Sequence, residues 1–318
     1  MKLKNTKILS FLIFPIGILA ISSSSILTRL GQAGAPSLVI ATYRLIIAGS
    51  ILFVYVIIKT RQEFKKVDRQ TLRLFLFAAL FLAAHFASWI TSLELTSIAS
   101  SVVLVTTTPV WVAIFSPFFL KEKISLKMWL GIILALLGSI LVAGSQTCQI
   151  NGDNLLSCSE LSELFAAKSF LGNLLALIGA WMAAGYMMVG RKLRNNFSIT
   201  FYAFMVYALA GLILLAVVIA SQIPLFGYSN ESYLWMILLA LIPQLFGHST
   251  FNWALGFLPA SLVSLALMAE PIGTIILAFI IFREMPLPPE LAGGAMILTG
   301  ILVVSLANRR FAKKLEKV

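Results

Sequence analysis

Residues 109–122 read PVWVAIFSPFFLKE, and residues 271–284 read PIGTIILAFIIFRE. Each stretch opens on proline, runs apolar for most of its fourteen residues and closes on glutamate. Each is followed by two glycines at matching distances, Gly131 and Gly138 after the first, Gly293 and Gly300 after the second. Working outward, an offset of 162 residues, as from Leu9 to Leu171, aligns the halves without a gap from about Leu9 to Val142. Leu12 then meets Leu174, Gly17 meets Gly179, Arg29 meets Arg191, Gly49 meets Gly211, Pro109 meets Pro271 and Glu122 meets Glu284. Apolar coincidences are cheap in this composition; coincident Gly, Pro, Arg and Glu at one offset are not, so the chain is a duplicated unit.

Of the 318 residues, 60% are hydrophobic and 11% charged, against about 25% charged in an ordinary soluble domain. Ten long apolar runs fall at about 8–28, 36–58, 72–93, 97–120, 125–143, 169–190, 198–220, 233–256, 261–282 and 289–307. Each has the roughly 20 residues that a helix needs to cross hydrocarbon about 30 Å thick. Lipid cannot satisfy exposed backbone groups, and runs so uniformly apolar are not alternating barrel strands, so helices are expected. The fold class is therefore all-α integral membrane, with ten transmembrane helices as two inverted five-helix repeats. Inversion follows because five is odd: the second unit enters from the opposite face. Such repeats recur in secondary transporters, with the solute site near the midplane between halves.

A net charge of +12 would suggest nucleic acid in a soluble protein, but here the basic residues gather at the ends of the apolar runs. With a cytoplasmic N-terminus, Lys2, Lys4, Lys7, the basic residues from Lys59 to Arg73, Lys121, Lys123, Lys127, Arg191, Lys192, Arg194 and those from Arg309 to Lys317 lie inside. Only Arg29, Lys168 and Arg283 lie outside. The positive-inside rule thus puts both termini in the cytoplasm of a multi-pass protein of the inner (plasma) membrane. The stretch Lys2 to Ala20 has the basic start of a signal peptide, but its charge-free run continues to Thr28, longer than a signal core, and it has an internal counterpart. The expected organisation is repeat 1 at 1–145, an external loop at 146–168, repeat 2 at 169–307 and a basic cytoplasmic tail at 308–318. Both cysteines, Cys148 and Cys158, fall in the loop. An oxidising face permits a structural disulfide there; two unpaired thiols are the alternative.

The paired proline-to-glutamate stretches with their glycines, together with HFASWITSLELTSIASSVVLVTTTP (His85 to Pro109) and HSTFNWALGFLPASLVSLALMAEP (His248 to Pro271), resemble the EamA domain of the drug/metabolite transporter superfamily. The resemblance spans nearly the whole chain in both copies. It implies a central cavity lined by both halves, the last helix of each unit at the periphery, and alternating access, with substrates that include amino acids, other metabolites, sugars and toxic compounds, often moved outward. The long external loop departs from that compact pattern.

Intramembrane charges are costly and face partners or water. Arg44 lies about 12 Å into segment two and Glu270 about 13–14 Å into segment nine, at 1.5 Å per residue; they could pair, or bind the carboxylate and amine of a zwitterion. Pro109 and Pro271, preceded by Thr108 and Glu270, would open polar notches and serve as hinges, or be static bends. His85 and Trp89 share a helix face, as do His248 and Asn252; the histidines could relay protons or simply pack. Trp89, Trp111, Trp181, Tyr186 and Trp253 could line a cavity or pack between helices. Ser22 to Ser25 could supply hydroxyls or allow close helix approach. The candidate substrate-binding set is Arg44, Glu270, His85, Trp89, His248, Asn252, Trp111, Tyr186 and Thr108. Lys121, Glu122 and Lys123 inside and Arg283 and Glu284 outside mark matching helix exits, as a latch or as solvated ends.

A secondary carrier that exports small metabolites is the leading expectation, and a channel-like facilitator or lipid flippase the alternative. An enzyme is not expected: the sequence has no HExxH, no recognisable nucleophile motif and no Gly-rich phosphate cradle, and the last of these argues equally against an ATP-driven pump. No metal and no cofactor is expected. The expected partners are a small-molecule solute, membrane lipids and protons, and no nucleic acid.

Overall fold

The computed structural model describes residues 2–119, 125–144, 148–151, 154–158, 167–256, 263, 267 and 270–315. Its helices are α1 Lys2–Gln32, α2 Ser37–Lys59, α3 Arg69–Leu95, α4 Ile98–Val105, α5 Thr108–Phe119, α6 Leu126–Gly144, α7 Lys168–Leu193, α8 Ile199–Ala220, α9 Asn230–Leu239, α10 Ser249–Ala254, α11 Glu270–Phe282 and α12 Pro288–Leu315. Among the described residues, six stretches can cross a membrane by length and composition: Ser37–Lys59, Arg69–Leu95, Ile98–Phe115, Lys168–Leu193, Ile199–Ala220 and Asn230–Ala254. Shorter apolar helices occupy Leu126–Val142, Glu270–Phe282 and Pro288–Val303.

The helix starts are written in the sequence. Asp68, Ser97, Ser198 and Ser229 are N-caps, each accepting a hydrogen bond from the backbone N–H three residues on, which satisfies a donor the helix would otherwise leave free. At Asp68, outside the membrane, the bonds from Thr71 hold the carboxyl below its usual range. The expected seam of polarity is also present, inside out relative to a soluble protein. Ile51, Phe53, Val54, Ile133, Leu137, Ile140, Leu291 and Leu302 are exposed, whereas Ser22, Thr28, Arg44, Asn173, Gln244 and Thr274 are buried. An apolar exterior around polar contacts is what a bilayer selects.

Helix contacts recur with the halves exchanged. The pair α3–α7 is matched by α1 against the α9–α10 stretch, and α1–α11 by α7 against α4 and α5, while α2–α8 and α6–α12 pair with their own counterparts. Individual glycines repeat the pattern. A Cβ at Gly17 would stand 2.9 Å from Thr250, and one at Gly179, its mate, 3.1 Å from Trp89 Cβ and 3.4 Å from Ser88 Oγ; Ser88 is the mate of Thr250. Helices α6 and α12 touch through Gly138 and Gly293, where an added Cβ on either would lie 2.6 Å from the other's carbonyl oxygen. The last helix of each unit is thus paired with its twin.

Two details differ from the uninterrupted runs expected. Segment four breaks between α4 and α5 at Thr106 and Thr107, just before Pro109. Pro109 lacks an N–H, and the Val105 carbonyl it frees is taken by Thr108 Oγ1 at 2.8 Å, so the notch closes on itself. Segment eight contains a π-helical stretch, Ala240–His248, around Pro243. Within the external loop, Cys148–Asn151 (β1) and Asn154–Cys158 (β2) form an antiparallel hairpin whose register sets Cys148 opposite Cys158; the side chains of the expected disulfide lie outside the described residues, as do Lys121, Glu122 and Lys123.

The two halves are tied together at the start of α4. Glu284 Oε1 accepts from Ile98 N at 2.6 Å, and Glu290 Oε1 accepts from Ser97 Oγ at 2.7 Å and Ser100 Oγ at 2.6 Å while its Oε2 accepts from Leu287 N at 2.8 Å. Carboxylates at a helix N-terminus are favoured by both the free N–H groups and the dipole. Replacing Glu290 by Ala strips buried donors of their acceptor, and we expect a loss of about 1–3 kcal/mol, read as a lower thermal midpoint in detergent. A midpoint equal to that of the unaltered chain would count against the tie.

Candidate functional site

A cavity lies among α1, α3, α4, α5, α7, α10 and α11. None of its lining comes from the paired outer helices α6 and α12. Its walls are arranged by the repeat. Ser24 and Tyr186, Trp89 and Phe251, Val105 and Leu267, and Thr108 and Glu270 all line it, and each pair is separated by the offset that aligns the halves. The cavity therefore lies where equivalent surfaces of the two units meet. The chemistry of the pairs has diverged: a hydroxymethyl in one unit answers to a phenol in the other, and a threonine to the carboxylate of Glu270.

Of the residues expected from sequence, the structure gathers His85, Trp89, Thr108, Tyr186, His248, Asn252 and Glu270, with Pro109, around this one space. Glu270 is held through its backbone, whose carbonyl accepts from Ser22 Oγ at 3.2 Å. Its carboxylate makes no hydrogen bond among the described residues and faces the cavity. His85 Nδ1 lies 2.9 Å from the Gly179 carbonyl and its ring stacks on Trp89, with centroids 5.9 Å apart and planes 5° apart. Tyr186 donates to Asn252 Oδ1 at 2.6 Å, and Asn252 Nδ2 donates to Tyr207 Oη at 2.9 Å. That network fixes the amide's orientation.

Arg44 is placed differently. It is 0% exposed and is not part of the lining. Its Nε donates to Gln244 Oε1 at 2.7 Å, its Nη1 donates to Ser24 Oγ at 2.8 Å, and its Cζ stands 4.1 Å above the Phe86 ring. It is within electrostatic reach of Glu270, His85 and His248, but among the described residues no hydrogen bond or ion pair joins it to Glu270. Direct pairing, one of the two sequence expectations, is thus not what the structure contains. Trp111 also lies apart: its Nε1 donates to Thr107 Oγ1 at 3.1 Å and its ring packs edge-on to Trp181 at 4.9 Å, a contact between helices. Pro271 borders an apolar groove beside α12 instead of the cavity.

Sequence reading passed over Gln244, Tyr207, Met187 and Phe251. Phe251 could have been found as the repeat mate of Trp89. Gln244 could not, because it comes directly after Pro243 inside the π-helical stretch and its direction depends on that irregularity.

A many-helix membrane bundle whose twin units share a central, mostly apolar cavity with a few convergent polar groups is the architecture of a membrane transporter. The comparisons agree: the model of the EamA-like transporter family matches residues 8–144 and again 170–306, and the chain belongs to that family. The two matches are offset as the self-alignment is. The chain is similar to an uncharacterized transporter, YdfC, of Bacillus subtilis (strain 168), 24% identical over 228 residues that cover 68% of each protein. A solved crystal structure superposes with a TM-score of 0.65 at 17% identity, over 95% of this chain and 98% of its own, which shows a common fold. The protein is thus a multi-pass membrane transporter of the drug/metabolite type.

Proposed function

We propose that this chain is a ten-helix secondary carrier which exports small metabolites such as amino acids by alternating access, working in the plasma membrane with both termini in the cytoplasm. The observation that carries the reading is the set of repeat-paired residues around one cavity: Ser24 with Tyr186, Trp89 with Phe251, Val105 with Leu267 and Thr108 with Glu270. When two units related by inversion share a site, rocking one against the other exposes that site to either face in turn. Pro109 and Pro271, at equivalent places beside Thr108 and Glu270, are the candidate hinges. Glu270 and the aromatic walls are the candidate solute contacts, and a proton taken by Glu270 or a histidine is a candidate driving ion.

Counterflow in proteoliposomes tests this. Saturable uptake of labelled solute, accelerated by unlabelled solute inside, is expected of a carrier. Flux that rises in proportion to concentration and ignores the opposite side is the behaviour of a pore and would overturn the proposal. The inverted arrangement is tested separately by reporters at Lys65 and Arg194, expected on the same, cytoplasmic face; opposite faces would refute it.

A further inference from the structure

We propose that Ser24 is the residue that reads a substrate carboxylate, with Arg44 acting behind it as a positioning residue, so that the cavity selects a small zwitterion held between Ser24 and Glu270. The inference rests on the cavity being the solute site. Among the described residues, four of the lining carry hydroxyls: Ser24, Thr106, Thr108 and Tyr186. Three have given their hydrogen away, Thr106 to the Val103 carbonyl at 2.9 Å, Thr108 to the Val105 carbonyl at 2.8 Å and Tyr186 to Asn252 Oδ1 at 2.6 Å. Ser24 instead accepts, from the Arg44 guanidinium, and among the described residues its own hydrogen has no acceptor. Its neighbours on α1 differ: Ser23 donates to the Ala20 carbonyl at 2.8 Å, Ser22 donates to the Glu270 carbonyl at 3.2 Å, and Ser25, which has no hydrogen-bond partner among the described residues, does not line the cavity.

A hydroxyl that accepts from a cation is a stronger donor in return, because each bond in such a chain polarises the next. Ser24 therefore extends the positive charge of Arg44, itself out of reach, to the cavity wall. The bond from Ser22 to Glu270 shows that α1 and α11 touch two residues away from Ser24. The donor and the carboxylate thus stand on adjoining segments and line the same cavity: an α-amino acid held between them would accept from Ser24 Oγ through its carboxylate and donate to Glu270 through its ammonium. Trp89, Phe251 and Met187 offer the apolar wall for the side chain.

The test is equilibrium binding of phenylalanine, phenylalaninamide and phenethylamine to the purified full-length chain in detergent. All three share a cationic amine and a benzyl body, and only phenylalanine has a carboxylate. The unaltered protein is expected to bind phenylalanine about tenfold or more tightly than either amine, the yield of one charge-assisted hydrogen bond. Ser24→Ala is expected to abolish that preference, chiefly by weakening phenylalanine, and Ser24→Thr, which keeps the hydroxyl, to restore most of it. A wild-type chain without the preference overturns the proposal even if no variant folds, and so does Ser24→Ala with the preference intact. Flux in proteoliposomes separates this from the transport reading: preference without flux keeps the role of Ser24 and sinks transport, whereas flux without preference does the reverse.

Discussion

Glu270→Gln is expected to insert and fold yet to lose at least about tenfold in solute flux, because it removes the one carboxylate that lines the cavity among the described residues while keeping the size of the side chain. A hydrogen bond to a charged partner contributes about 1.5–3 kcal/mol, and each 1.4 kcal/mol corresponds to about tenfold in affinity. Arg44→Ala should impair flux as strongly for a different reason. It leaves Gln244 Oε1 and Ser24 Oγ without their donor and takes a positive charge from the neighbourhood of Glu270. Because Gln244 is fully buried and its Oε1 would lose its donor, stability should fall as well, by about 1–3 kcal/mol. The two variants therefore separate in a thermal-unfolding assay even where they coincide in transport. Glu270→Gln with undiminished flux would remove that carboxylate from the solute site.

The other large effect is structural. Gly138→Leu would place its Cβ 2.6 Å from the Gly293 carbonyl oxygen and 2.9 Å from Met296 Cβ, distances at which backbone must move. Helices α6 and α12 would have to separate along a seam that small residues keep close, at a cost of about 1–3 kcal/mol from overpacking alone. Neither helix lines the cavity, so the fraction that folds should bind solute with nearly normal affinity. The expected signature is a lowered thermal midpoint with unchanged affinity, measured on the same preparation. Lost affinity in a fully folded Gly138→Leu chain would mean that the outer pair is part of the site.

The duplication, the apolar helices and about half of the cavity lining were legible because each leaves a local mark. Coincident glycines and prolines record the repeat, hydropathy records the spans, and a histidine or carboxylate inside a span stands out against its surroundings. What escaped depends on direction. Arg44 announced itself by depth, but depth says nothing of where a long side chain turns, and it turns to Gln244 and Phe86. Trp111 sits one turn from cavity residues in sequence, yet its ring faces Trp181. Ser24, within the run Ser22 to Ser25, read most simply as helix packing; only its hydrogen-bond partner distinguishes it from Ser23. The π-helical stretch around Pro243 has no periodicity signature, and with it went Gln244.

The most direct test of a single solute site shared by two opposed halves is thiol accessibility at Ala183, a half-buried cavity residue, after Cys148 and Cys158 are replaced by serine and Ala183 by cysteine. The account predicts labelling by a membrane-impermeant reagent from either face of oriented vesicles, suppressed from both by saturating transported solute. Labelling from one face alone, or labelling that transported solute leaves untouched, would contradict it.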